Sequence, residues 1–535
     1  MAAGDVLKSY PPRDLAIRNH ISVPGMLARI GKNFGAKLVG LAISFVDRFL
    51  VVMVLLRGWG TDVFAEWAIL MAVAGSFALA EMGLNIYFGN VWQQHRASLD
   101  HAAFQRTLGV AITWGFALAC GTLLILIVGL TLLDVPSVFA IKMIPREQSQ
   151  VILVLLSAAS ISRSARGAIS QLYRGRQQYA LGTLVDQVQF AALAVSTLVA
   201  ASLGATPLVQ AVVVLISDLV AGWGVMIRDL KQRFPDLTFR PQLPTSAEVV
   251  EIAHHVKWLV LQQGIPVAWQ QAPVLVLGLM GIGGTPLVGF IILRTLVTFA
   301  RQIVMMFSLS AAVELADALH NGRREAVVRN VEHSAVLMSV LLSIIGVGIA
   351  VLGASFVTLW TGRADLFDLS ISLYLLAGAA AAVPSIPVTS LLTLANMPRP
   401  GAIAQVVQLA FGLAGLLLLS WKFGTAGAAA GLAVGDIVAF CIALPLLAHS
   451  VTGWFEPVPY LARCYWAMIL SAIWCSLVVT TLVYLVGVTS VASFLVVGLL
   501  YAVLGAAPAG VVGLPAELRR SIIGRLRQQR VASRP

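Results

Sequence analysis

The chain has 535 residues, of which 59% are hydrophobic and 11% charged, with a mean hydropathy of +0.89. That balance excludes a soluble globule and places the chain among integral membrane proteins. Its formal charge of +12 would suit nucleic acid, but the basic residues cluster in the segments between apolar runs, which argues against that partner.

Long apolar runs point to spanning helices; barrel strands would alternate polar and apolar residues. Fourteen spans can be read, at roughly 38–56, 63–90, 107–132, 150–172, 179–203, 207–228, 256–281, 286–312, 333–360, 370–395, 402–421, 425–448, 464–487 and 489–512. Before the first lies a basic, polar arm with Pro11-Pro12 and no apolar core before a small-residue cleavage site, so a membrane-surface segment is expected and no cleaved signal. The first span carries Asp47-Arg48. A rise of about 15 Å from Lys37 puts Arg48 near the midplane. A charge there costs on the order of 3 kcal/mol, which predicts a cavity or a buried acidic partner. Asp47 points about 100° away around the helix and is a poor mate for Arg48.

The second span runs from Phe64 to Asn90, opening with Phe64-Ala65-Glu66-Trp67 and closing with Glu81-Met82-Gly83-Leu84-Asn85. Both ends resemble the second transmembrane helix of polysaccharide flippases, exporters of lipid-linked oligosaccharides within the multidrug/oligosaccharidyl-lipid/polysaccharide exporter superfamily. Glu81 stands where that family usually has Asp. The resemblance implies two six-helix lobes and makes Glu81, Gly83 and Asn85 motif residues.

The fourth span has a polar stripe with Arg163, which is within snorkelling reach of one surface. In the fifth and sixth, two short sequences foreshadow the second half of the chain. Val188-Gln189-Phe190-Ala191 returns as Val407-Gln408-Leu409-Ala410, shifted by 219, and Asp218-Leu219-Val220-Ala221 returns as Asp436-Ile437-Val438-Ala439, shifted by 218. An offset of six spans preserves orientation, so the predicted repeat is parallel, with a binding site between its halves. Asp218 and Asp436 are matching mid-helix acids and, with Asp47, candidates for ion coupling; neutralising buried arginines is the alternative.

The polar stretch that follows, with Pro235, Pro241 and Pro244, reads as a linker. The seventh span is rich in glutamine, including Gln263 and Gln270 on one face, and carries Pro266 and Pro273. Mid-membrane prolines free backbone carbonyls, which predicts a bending, cavity-lining gate; a kinked packing helix is the structural alternative. The eighth span places Arg294 near the midplane and Arg301 one heptad nearer the surface. The last two spans are almost uncharged.

The expected fold is therefore all-α: a polytopic membrane protein of about fourteen helices, with two pseudo-symmetric six-helix lobes and two C-terminal helices. The expected division is an arm at 1–37, an N-lobe at 38–228, a linker at 229–255, a C-lobe at 256–448, the two extra helices within 464–512 and a basic tail at 513–535. Arginine and lysine gather on one side of the spans, leaving only Arg57, Lys142, Arg146, Arg363 and Lys422 on the other. By the positive-inside rule both termini are expected to be cytoplasmic, and the resemblance implies a bacterial inner membrane. Cys120, Cys441, Cys464 and Cys475 have no disulfide or metal spacing, and no cofactor is implied.

Arg48 and Arg294 suit an anionic cargo, because guanidinium forks pair with phosphate oxygens. With Arg163, Arg301, Gln263 and Gln270 they form the candidate substrate set. The resemblance implies a polyprenyl diphosphate oligosaccharide as cargo, with a polysaccharide polymerase and glycosyltransferases as neighbours. A cation-coupled drug antiporter of the same superfamily would use twelve helices and an acidic cavity. A membrane glycosyltransferase or polymerase would need a carboxylate cluster, and the loop around 133–149 has only Asp134 and Glu147. A non-transporting scaffold would leave the mid-membrane charges unexplained.

Overall fold

The computed structural model describes residues 39–78, 83–320, 324–394, 397–453, 455–506 and 524; the side chains of 97, 257, 258, 263, 307–320, 324, 326 and 394 are outside that description. The chain is an all-helical bundle. We label its helices α1 Val39–Ser76, α2 Leu84–Ala97, α3 His101–Leu132, α4 Arg146–Gly175, α5 Tyr179–Ser202, α6 Pro207–Arg233, α7 Ser246–Leu279 and α8 Gly284–His320. The remainder are α9 Arg324–Thr361, α10 Leu369–Thr393, α11 Arg399–Thr452, α12 Pro457–Val486 and α13 Val491–Ala506.

Among the described residues, ten helices are long and apolar enough to cross a membrane. Two of them, α1 and α11, each hold two spans that double back at a glycine with non-helical backbone, Gly60 at φ 78 and Gly424 at φ 57. A side chain at either φ would be strained. Adding α7 and the shorter α13 accounts for all fourteen predicted spans.

Polar caps set the helix starts. Asp100 accepts from Ala103 N at 2.9 Å at the head of α3, Asp368 from Ser370 N at 2.7 Å before α10, and Thr245 forms a capping box with Glu248 before α7. Within the bilayer, close packing holds the helices together more than water exclusion does. The two arms of α11 meet backbone to backbone: a Cβ on Gly431 would lie 2.3 Å from Leu416 N.

The second span departs from the expected single run. Its first part ends with α1 at Ser76, and α2 restarts at Leu84 after Gly83, whose φ is 102. A Cβ on Gly83 would sit 2.7 Å from Val260 N, so the restart presses directly on the backbone of α7. Both the positive φ and the contact require glycine.

The apolar cores are distributed unevenly along the bundle axis. Toward the arginine-poor end one core joins both halves, with Phe49, Leu55 and Phe64 of α1 packed among Phe290, Leu293, Val357 and Trp360. Toward the arginine-rich end there are two separate cores. One joins α2, α3, α4 and α6 to the start of α7, and the other joins α9, α10, α11 and α12. Apart from α7, which packs on the first half, the halves thus share a core at one end and form separate cores at the other. The C-terminal pair adds on the outside of α9, where Tyr501 donates to Ile344 O at 2.6 Å.

Candidate functional site

Between the halves, α1, α5 and α8 enclose a cavity of about 490 Å³ lined by Ser44, Asp47, Arg48, Thr183, Gln187, Phe190, Gln302 and Met306 among others. A π-helical turn at Val46–Val51 carries Asp47 and Arg48. Such turns re-aim side chains and are frequent at functional sites. Counting from the turn at Gly60, Arg48 lies about 18 Å deep, near mid-bilayer. Asp47 is exposed at this depth, has Arg48 and Arg163 as its cationic neighbours, and makes no hydrogen bond among the described residues. Arg163 stacks over Phe190 of the cavity wall, 5.9 Å from the ring centroid. Gln302 presents a buried Oε1 with no partner.

Behind the cavity the repeat is visible in side-chain chemistry. In the first half Gln189 donates to Asp218 Oδ1, Arg163 Nε lies 3.6 Å from the same oxygen, and Ser162 donates to Oδ2 at 2.5 Å. In the second half Gln408 donates to Asp436 Oδ1 at 2.5 Å, and Arg301 donates to Oδ2 at 3.2 Å. Asp218 opens a π-helical turn, Asp218–Gly224 in α6, and Asp436 stands two residues before another, Val438–Ala443 in α11. Asp218 and Asp436 are 1% and 4% exposed, so each carboxylate already has a resident guanidinium. Arg163 and Arg301, two of the candidate substrate residues, both turn to buried acids, because a short ion pair costs less than an unpaired carboxylate in the bilayer. Arg166, 3% exposed, bonds Asp186 at 2.8 Å and Gln189, and completes the first cluster.

Arg294 lies elsewhere than expected. It lines none of the cavity described above and instead donates to Trp269 O at 3.0 Å and Gln270 O at 2.8 Å on α7. Pro273 stands four residues after Trp269 and has no N–H to give that carbonyl. Arg294 thus satisfies a carbonyl that the proline freed. Gln270 and Pro266 are exposed, Pro273 is buried, and Gln262 donates to Thr393 at 3.0 Å.

The shared-core end has its own polar junction. Thr285 Oγ1 donates to Thr61 Oγ1 at 3.4 Å, and Arg363 reaches both hydroxyls at 3.3 Å while holding Asp365. Nearby, Arg57 donates to Trp360 O at 3.1 Å, and Trp360 donates to Phe49 O at 2.6 Å. The signal for this junction was present in the sequence, since Gly60-Thr61 returns as Gly284-Thr285.

Of the motif residues, Glu81 lies outside the described residues. Asn85 packs on Gly167 of α4, with its Oδ1 buried and unpartnered. Sequence reasoning missed Glu66, the acid in the opening of that span. Its two oxygens accept four bonds from the backbone of Lys142, Met143 and Ile144, at 2.6 to 3.0 Å, and pin the turn before α4. A lone acid in an apolar run was the available clue.

No protein-family model matches the sequence, and no curated protein matches it. Solved structures do share its fold. An inward-facing multidrug resistance MATE family transporter of the MOP superfamily superposes with a TM-score of 0.57 at 12% identity, over 78% of this chain and 95% of that one. The lipid II flippase MurJ in an inward closed conformation gives 0.66 at 11% identity, over 92% and 98%. The Vibrio cholerae MATE transporter VcmN in its bent form gives 0.55 at 16%, over 80% and 99%. The chain therefore shares the helical fold of these structures.

Proposed function

We propose that the protein is a flippase that moves a lipid-linked oligosaccharide, joined to its polyprenyl carrier by a diphosphate, between the leaflets by alternating access. The observation that carries this reading is the presence of Arg48 and Asp47 in a cavity at mid-depth between the two halves, whose shared core lies toward the arginine-poor end. The fold likeness adds support: the MATE transporters match about four-fifths of the chain, whereas the lipid flippase matches 92% of it.

In this scheme the Arg48 fork takes diphosphate oxygens, and the amides of Gln187 and Gln302 take sugar hydroxyls. The apolar tail stays in lipid. Arg163, behind Phe190, adds positive potential to the cavity. Asp47, free of hydrogen-bonded arginine, is the carboxylate where a coupling cation would act, while Asp218 and Asp436 are occupied by arginine in this state. Gln263, Gln270, Pro266 and Pro273 act through the bending of α7. The arginine-rich end faces the cytoplasm of a bacterial inner membrane, so the state described is inward-facing. The lobes divide at the linker 229–255, and polymerase and glycosyltransferases supply and consume the cargo.

The test is translocation of a fluorescent polyprenyl diphosphate oligosaccharide in proteoliposomes, read by access of a membrane-impermeant quencher. The wild-type protein is expected to move it, with Arg48→Ala and Arg48→Lys both slower by about tenfold or more, since Lys lacks the planar fork. Near-normal transport by Arg48→Ala, or transport of organic cations alone, overturns the reading.

A further inference from the structure

The two halves hold their repeated aspartates differently, and the difference leaves one arginine in reserve. In the second half Asp436 depends on its arginine: Gln408 takes Oδ1, and Arg301 donates to Oδ2 at 3.2 Å. In the first half neutral donors already take both oxygens of Asp218, Gln189 on Oδ1 and Ser162 on Oδ2 at 2.5 Å. Both donors are fixed from behind. Trp223 Nε1, which can only donate, gives its hydrogen to Ser162 Oγ at 2.9 Å, so the Ser162 hydroxyl turns its own hydrogen to Asp218. Arg166 donates to Gln189 Oε1, which leaves the amide nitrogen of Gln189 to face Asp218.

Arg163 is thereby left over. Its Nε lies 3.6 Å from Asp218 Oδ1, an ion-pair distance too long for a hydrogen bond, and that buried nitrogen has no hydrogen-bond partner. The side chain is 36% exposed, against 26% for Arg301. Its guanidinium lies over Phe190, which lines the inter-lobe cavity.

On the reading that this cavity carries a lipid diphosphate, Arg48 offers one guanidinium fork for two phosphates. We propose that Arg163 is the second phosphate ligand, held in reserve on Asp218 and released to the cavity when the diphosphate arrives. Ser162 is the positioning residue that makes the release possible. Arg163 exchanges a long contact without hydrogen bonds for charge-assisted bonds to phosphate oxygens. Asp218 keeps Gln189 and Ser162, with Arg166 still in the cluster, so its carboxylate is not stranded. The same release in the second half would leave Asp436 Oδ2 without its donor, and Arg301 stays.

The experiment is isothermal titration of the purified full chain in detergent with farnesyl diphosphate and, separately, farnesyl monophosphate. The wild type is expected to bind the diphosphate about tenfold more tightly, and Arg163→Gln to remove that preference. Arg163→Lys keeps the charge without the fork and should retain only part of it. Ser162→Ala exposes Asp218 Oδ2 to capture by Arg163, so it should lower the preference although Ser162 does not line the cavity. In an Arg163→Gln background it should change nothing further. Arg48→Ala should weaken both ligands. Thermal melting of each variant without ligand separates loss of binding from loss of fold, and Arg163→Lys serves if Arg163→Gln does not fold. Equal affinity of the wild type for the two ligands, or a full preference kept by a folded Arg163 variant or by Ser162→Ala, overturns this inference alone. A wild type that binds neither ligand overturns it together with the flippase reading.

Discussion

Thr61 and Thr285 occupy corresponding places after a turn glycine in the two halves, and their hydroxyls meet at 3.4 Å beneath the Arg363 guanidinium. Two copies of one repeat thus touch each other at the shared-core end, where a small separation of the halves would break three weak polar contacts together. Contacts of this kind, long and few, suit a junction that must open and reclose.

The first prediction follows directly. Thr61→Cys with Thr285→Cys, oxidised in membranes, should form a disulfide that reduces translocation to background, and reductant should restore it. Full transport with the disulfide demonstrably formed would mean that this end does not part.

The second concerns the α7–α8 contact. Arg294→Ala leaves the Trp269 carbonyl unsatisfied and should destabilise the protein by about 1–3 kcal/mol. In a Pro273→Ala background the helix can supply its own N–H, so the same substitution should cost clearly less. Thermal melts of the four variants in detergent give the coupling, and additivity within about 0.5 kcal/mol would remove the link between the proline and the arginine.

A third prediction separates ion pairing from ion coupling at the repeated acids. Asp436→Asn strands Arg301 in a buried site, with an expected loss of about 3–5 kcal/mol and of folded yield. Adding Arg301→Gln should recover the yield. Transport by the folded double variant that keeps its dependence on a proton or sodium gradient would exclude Asp436 as the coupling carboxylate, whereas loss of that dependence would assign it the role.

The fourth uses an ion pair outside the apolar spans. Arg106 donates to Glu248 at 2.8 Å, and with Thr245 it holds the Glu248 carboxyl at about 2, below its ordinary 4.5. A depressed acid contributes its stabilisation above the ordinary value and loses it as pH falls toward the folded one. Spin labels on α3 and α7 should therefore separate between pH 4.5 and about 2, and Glu248→Gln should separate them already at neutral pH. A distance unchanged by pH in the wild type would show that the pair does not hold these helices.

What the sequence determined by itself was what depends on local composition: the membrane class, the spans and the existence of a repeat. Apolar runs of helical length and short recurring sequences carry that information without reference to any neighbour. Gly83 was legible as a motif residue, but its reason, a φ of 102 against the backbone of α7, was not. The pairing of buried charges was decided only by the tertiary structure. Arg48 and Arg294 look alike in sequence, each a lone cation near the midplane. Packing gives one a cavity and the other the carbonyl freed by Pro273, an acceptor that the neighbouring helix cannot satisfy itself. Glu66 and the Thr61–Thr285 junction left a local signal in the sequence, but their pairing did not, since their partners lie about 76 and 224 residues away along the chain.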